Sequence, residues 1–264
     1  MLASIVILSK RLPQIVVSDL KKQSYRNFEI IHAKEKGIVK AMNLALEKAK
    51  GDIFIRVDED VRIPRLWLEN ILSGFSRPEI GGVTGPTFVV PERRGYRDSI
   101  RVAACPPAWL TWLFDNDPFA PAKIYKCGSV SYGSNFAEKL DFEKEYQIDY
   151  LEGTNWAVRT FLLRRIGGFD ESYKGVCEWY DIDAVYKIKN LGYQLKYVTS
   201  AYLWHMLEKL PTYKERFKGF GMSRLANWLR FHIRHSDFHY KKIIWFLLML
   251  GYLLKKGVED YVKC

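Results

Sequence analysis

Short β-branched runs alternate with amphipathic helical segments along the first 90 residues, and this alternation leaves few folds open. Ala3–Leu8 (ASIVIL) is almost wholly apolar and reads as a strand buried on both faces. Pro13–Gln23 places Ile15, Val16 and Leu20 at helical spacing, with Pro13 suited to a first turn. Phe28–His32 is a second strand, and Ile38–Lys50 a helix closed by Gly51. Ile53–Val57 is a third strand, Pro64–Phe75 a further helix, and Gly81–Val90 another strand. The order predicts an α/β fold: a mostly parallel sheet with helices on both faces. Ligands of such sheets bind beyond the carboxyl ends of the strands.

The pattern weakens between Pro91 and Tyr150, a stretch that holds Pro106-Pro107, Trp109 and Trp112 and reads as an insertion of loops and short elements. It returns with an extended stretch through Arg159, a helix from Thr160, a helix over Asp181–Leu191 stopped by Gly192, and a strand over Gln194–Val198. The remainder is helical, with breaks at Pro211 and Gly219–Gly221. We therefore expect a domain over residues 1–205, in halves 1–90 and 91–205, followed by a helical tail over 206–264.

Composition narrows the class. Of 264 residues, 48% are hydrophobic and 27% charged, which excludes a disordered or fibrous chain. Cys105, Cys127, Cys177 and Cys264 are scattered with no CxxC pair, which argues against a disulfide scaffold or zinc finger and for a reducing compartment. Met1–Leu8 is too short for a signal peptide, and Lys10 and Arg11 follow it rather than precede it, so none is expected. The net charge is +11, and most of the excess sits after Met206, where twelve Lys/Arg face five Asp/Glu.

The third strand runs directly into Asp58-Glu59-Asp60. Carboxylates gathered at a strand end repel one another, and a divalent cation with a phosphate-bearing ligand would satisfy them. Residues i and i+2 of an extended chain point the same way, so Asp58 and Asp60 can share one ligand. The competing reading is an acidic turn that caps the next helix.

Several segments resemble family 2 glycosyltransferases of the GT-A fold. Ser4–Ser9 resembles the first nucleotide-binding strand. Gln23–Ile31 (QSYRNFEII), Gly37–Asn43 with Ala49–Asp52, and Asp58-Glu59-Asp60 resemble successive blocks of that family. Gly153-Thr154-Asn155, Arg159 and Gly167–Glu171 (GGFDE) resemble its acceptor-side block. The resemblance implies a Rossmann-like GT-A sheet and an inverting, metal-dependent transfer of a sugar from a UDP- or GDP-linked donor to a glycan or lipid-linked acceptor, as in polysaccharide or glycolipid biosynthesis. It assigns Mn²⁺ or Mg²⁺ to Asp58, Asp60 and His205, and donor contacts to Ser9, Glu35, Lys40, Asp58, Glu59 and Arg159. Glu35 replaces an aspartate that the family uses to hold the base. Counting back from Gly192, Asp181 matches the family's catalytic base and Asp183 its second aspartate, with Glu178 the alternate base and Tyr180 standing where the family has glutamate. Trp156, Asp183 and Trp109 are assigned to the acceptor; Trp109 and Trp112 equally suit a core.

Lys241-Lys242 precede an uncharged run over Ile243–Leu254, too short to span a bilayer, and Lys255-Lys256 follow it. With the basic amphipathic stretch upstream, this predicts an element lying in the headgroups on the cytoplasmic face of a membrane. The alternative is a helical hairpin packed on the catalytic domain or on a second copy. His232, His235 and His239 have no carboxylate at ligand spacing and are expected on a solvated basic face. No nucleic-acid motif accompanies the charge, so a nucleic-acid-binding module is disfavoured; a catalytically silent GT-A scaffold is the other competing reading.

Overall fold

A computed structural model describes residues 1–89, 108–131, 137, 140–175, 178–206 and 220–262, with only the backbone course at 108–109, 220–222 and 252–262. The first half begins with β1 (Ala3–Leu8), α1 (Gln14–Lys21), β2 (Phe28–Ala33), α2 (Ile38–Lys48) and β3 (Ile53–Asp58). It continues with β4 (Val61–Arg62), α3 (Trp67–Ser73), β5 (Ile80–Thr84) and β6 (Thr87–Val89). The second half contributes a 3₁₀ segment (Ala108–Phe114), β7 (Asn155–Arg159), α4 (Thr160–Arg165), α5 (Tyr180–Asn190), β8 (Gln194–Tyr197) and β9 (Leu203–His205). Two helices close the chain, α6 (Phe220–His235) and α7 (Tyr240–Val262).

The main sheet has the order β2-β1-β3-β7-β5-β8, and β7 runs antiparallel to both its neighbours while the other pairs are parallel. The single strand expected over Gly81–Val90 is two. The break at Gly85-Pro86 sends β6 into a second sheet of order β4-β9-β6, which brings β9 beside the acidic turn. Val90 lies outside the described residues, as do Cys105, Cys177, Cys264, Pro211 and Gly219.

Strand alternation sorts the core into two layers. Ile5, Ile7, Ile53, Ile55 and Val57 face Leu20, Trp67 and Ile71 of α1 and α3. Val6 and Phe54 face Met42, Leu46, Leu162 and Val185 of α2, α4 and α5. Burial of both faces accounts for the continuous apolar runs of β1 and β3.

The change in composition at residue 205 is not a gap in packing. Phe231 of α6 is fully buried against Trp179 and Tyr186. The indole of Trp228 donates to the Gly128 carbonyl at 2.7 Å, and His232 Nε2 lies 2.9 Å from the same oxygen. Gly128 has φ +82°, and a Cβ there would stand 2.7 Å from the Trp228 ring, so only glycine admits this contact. Burial pushes the His232 imidazole down to about 4 and keeps it neutral. His235 Nε2 sits 2.7 Å from Asp183 Oδ1. The solvated face expected for His232 and His235 is thus corrected: both rings are interior, because the apolar stripe of α6 turns them inward with Phe231. Lys241 is also drawn in, donating to the Trp112 carbonyl and to Asp115.

The α6 clamp is electrostatic as well as apolar. Burial disfavours the charged form of Asp183, but hydrogen bonds from His235 and Lys187 outweigh it and hold the carboxyl below its ordinary range. Burial is likewise outweighed at Asp170, where Ser172 and Arg234 bring the carboxyl down to about 2. A depressed carboxylate stabilises the fold above its unfolded pKa of about 3.9, and that contribution is lost as pH falls through the folded value. Asp170→Asn is therefore expected to lower the thermal midpoint at neutral pH, with the gap to wild type closing below about pH 4. Melting curves followed by circular dichroism across that range check it.

Candidate active site

In register, Leu8 of β1 lies between Ala33 of β2 and Asp58 of β3, so the strand ends form one rim. Ser9 follows β1, is buried, and its hydroxyl lies 3.1 Å from His32 Nε2. Alternation on β3 puts Phe54, Arg56 and Asp58 on the α5 side. Asp58 accepts from Arg56 Nη2 at 2.8 Å and from the Thr154 hydroxyl at 3.1 Å. Asp60 lies in the turn after β3, where its carbonyl accepts from the Met206 amide at 2.8 Å and its carboxylate meets His205 Nε2 at 3.1 Å.

Asp58, Asp60 and His205 each present one ligand atom, and the three atoms lie within 4.8 Å of one another. Two carboxylate oxygens and one imidazole nitrogen suit Mn²⁺ and related divalent ions. The three side chains are only partly buried, which leaves coordination positions open for water or phosphate oxygens.

His205 reaches this cluster because Asn155 anchors the segments around it. Its amide donates to the carbonyls of Ala201 at 2.8 Å and Pro86 at 3.2 Å, and its Oδ1 accepts from the Trp67 indole at 2.9 Å. The side chain has no exposure at all.

Asp181 lies in the first turn of α5, with Oδ2 3.6 Å from Arg56 Nη1. Burial raises its pKa, and Arg56 opposes the rise. A Cβ on residue 153 would stand 3.6 Å from Asp181 Oδ2, so glycine there leaves the approach to the carboxylate clear. The residue before α5, Trp179, is left-handed at φ +79°, a conformation that costs a bulky residue about 1–3 kcal/mol. Its ring is pinned by Phe231 of α6 at 4.8 Å. The C-terminal helices thus hold the turn that aims Asp181.

Other expected site residues stand elsewhere. Arg159 pairs with Ile53 at the opposite end of β3 and donates to the carbonyls of Ile80 and Arg77, so its donor role is withdrawn. Trp156 is 2% exposed and packs between Phe54 and Phe169, which makes it core rather than acceptor surface. Asp183 is enclosed by Tyr173, Lys187 and His235 and cannot meet an acceptor. Glu178 pairs with Arg224 of α6 at 2.7 Å instead of facing Asp181. Glu35 follows the carboxyl end of β2 and lies 3.8 Å from Lys48 in the last turn of α2. Lys40 is exposed on the first turn of α2, and Glu59 lies half-buried in the acidic turn. The side chain of Trp109 lies outside the described residues. The sequence assigned no role to Arg56 or Trp179, nor individually to Thr154 and Asn155 within the acceptor-side block. Of these only Arg56 carries a local signal, a charge at an inward position of an apolar strand.

A mainly parallel sheet of this order, bearing a carboxylate turn after its third strand and a histidine returned to it by a short second sheet, defines a GT-A glycosyltransferase. The chain belongs to glycosyl transferase family 2, whose profile matches residues 9–167, more than half its length. That match includes Asp58 and Asp60 and stops short of Asp181 and His205. Among solved structures, the mannosyltransferase PcManGT from Pyrobaculum calidifontis, in complex with GDP-Man and Mn²⁺, aligns at a TM-score of 0.53 and 16% identity over 97% of this chain and 75% of that one. GalNAc-T7 with UDP, GalNAc and Mn²⁺ aligns at 0.58 and 14% identity over 87% of this chain and 47% of that one, so this chain spans under half its length. At these identities the likeness is one of fold. No curated protein matches the chain by sequence.

The Asn155 hub yields a stability prediction. Asn155→Leu strands the Trp67 indole and takes a donor from the Ala201 carbonyl, while the Pro86 carbonyl keeps the Leu203 amide, and an unsatisfied buried group costs about 1–3 kcal/mol. We expect a loss of roughly 2–4 kcal/mol in urea denaturation.

Proposed function

We propose that this chain transfers a sugar, with inversion, from a UDP- or GDP-linked donor to a glycan or lipid-linked acceptor, using Mn²⁺ or Mg²⁺ held by Asp58, Asp60 and His205. The observation that carries the proposal is the convergence of those three ligand atoms at the carboxyl end of β3. The GDP-Man and UDP complexes of PcManGT and GalNAc-T7 support it through their common fold. A bound divalent cation supplies neutralisation of the charge that grows on the leaving diphosphate.

The chain's own residues do the rest. Asp181, its basicity raised by burial, accepts the proton of the acceptor hydroxyl. That oxygen bonds to the anomeric carbon as the bond to the diphosphate breaks, and one displacement from the far side inverts the centre. Ser9 lines the rim beside the nucleotide, and Lys40 offers a cation to the diphosphate. In a thermal-shift screen, UDP or GDP with Mn²⁺ should raise the midpoint, and Asp60→Ala should abolish the rise. Asp181→Asn should keep the rise and lower turnover about 10²–10⁴-fold. Turnover surviving both substitutions refutes the assignment.

We also propose that α6 and α7 rest on the cytoplasmic face of a membrane. No described helix is long and apolar enough to cross one. Ile233 and Phe238 are 82% and 78% exposed, and Ile243 and Leu247 of α7 are also exposed, while Trp245 and Phe246 on the same helix pack on the core. An outward apolar stripe of this kind favours the headgroup–acyl boundary. Ile243→Glu with Leu247→Glu should abolish flotation with phosphatidylglycerol vesicles. A wild-type dimer that the same pair dissociates, with no flotation, assigns the stripe to a second copy instead.

A further inference from the structure

Arg56 is a charge where the strand pattern calls for an apolar residue. Its side chain is only 12% exposed. Nη2 donates to Asp58 Oδ1 at 2.8 Å, while Nη1 donates to the Tyr180 hydroxyl at 3.1 Å and lies 3.6 Å from Asp181 Oδ2. One guanidinium therefore faces a carboxylate from each half of the site. Burial works against its charge, and the carboxylates of Asp58 and Asp181 favour it.

We propose that Arg56 is a positioning residue: a fixed counter-ion that holds the cation-side Asp58 and the base-side Asp181 at one separation, so that both address the same donor. The inference rests on reading Asp181 as the base. Two buried carboxylates with no cation between them repel, and each would turn toward water. The planar fork of arginine addresses two partners at a fixed spacing, which the single ammonium of lysine does not. Tyr180, standing where the family has a glutamate, adds a hydroxyl and no charge to the guanidinium. The single positive charge is thus divided between Asp58 and Asp181.

The test compares Arg56→Met and Arg56→Lys, each alone and combined with Asp181→Asn. Turnover is read as nucleoside diphosphate released from GDP-mannose and from UDP-N-acetylgalactosamine in Mn²⁺, and affinity as calorimetric binding of GDP and UDP. Arg56→Met should lower turnover at least about tenfold while nucleotide affinity changes less than about threefold, and Arg56→Lys should recover part of the loss. Added to Asp181→Asn, Arg56→Met should cost clearly less than it costs alone, because one of the two carboxylates it positions is already disabled. Losses that multiply in the double variant, or turnover and affinity that fall together with no recovery in Arg56→Lys, overturn the proposal. If Arg56→Met does not fold, Arg56→Lys and Tyr180→Phe carry the test: wild-type turnover in both overturns it, and lowered turnover at unchanged affinity supports it. Failure of the underlying reading looks different. Wild-type turnover in Asp181→Asn removes the base and this proposal with it, whereas a wild type that binds neither nucleotide removes the enzyme reading first.

Discussion

The site depends on like charges being brought together where they are partly withdrawn from water. Asp58 ends a buried parallel strand, Asp60 lies in the tight turn after it, and Asp181 enters from the first turn of α5. Each would be unfavourable there alone. Compensation is distributed: Arg56 between Asp58 and Asp181, the Thr154 hydroxyl on Asp58, and the His205 imidazole on Asp60. The ligand atoms of Asp58, Asp60 and His205 converge within 4.8 Å of one another, which is where a cation fits. The sheet makes this possible because parallel pairing aligns Leu8, Ala33 and Asp58, and so collects strand ends into one rim.

The C-terminal helices belong to this electrostatic design. Helix α6 contributes Phe231, which pins the left-handed Trp179, and His235, which meets the buried Asp183 two residues beyond Asp181. The first turn of α5 is thus set from below by β3 and from the side by α6. A segment that composition marks as a basic appendage is, in space, a strut of the catalytic half. Its outward face, with Ile233 and Leu247, is left for whatever surface the protein rests on.

Much of the first half was legible in the sequence. The apolar runs 3–8, 28–32 and 53–57 and the intervening helical segments appear within a residue or a few, since burial on both faces writes an unmistakable local pattern. The same local logic placed Asp58 and Asp60 on the rim. It failed where a residue's partner is distant. Arg159 and Trp156, read as site residues from their block, point along and into the sheet because β7 runs antiparallel and sets Arg159 at the far end of β3. Glu178 went to another partner, Arg224, for a similar reason: a surface carboxylate takes the cation that packing brings near, and spacing does not say which.

Order along the chain, through the period of its apolar residues and the short joints between them, determined the class of fold and put an acidic turn beyond its third strand. Tertiary structure alone decided which charges meet. Arg56, Asp58 and Asp181 converge, Asn155 holds the segments that carry His205, and α6 closes over Asp183, through contacts that span up to 145 positions between Asp60 and His205. The physical reason is range: hydrophobic periodicity is a property of neighbours in sequence, whereas the compensation of buried charge is a property of neighbours in space.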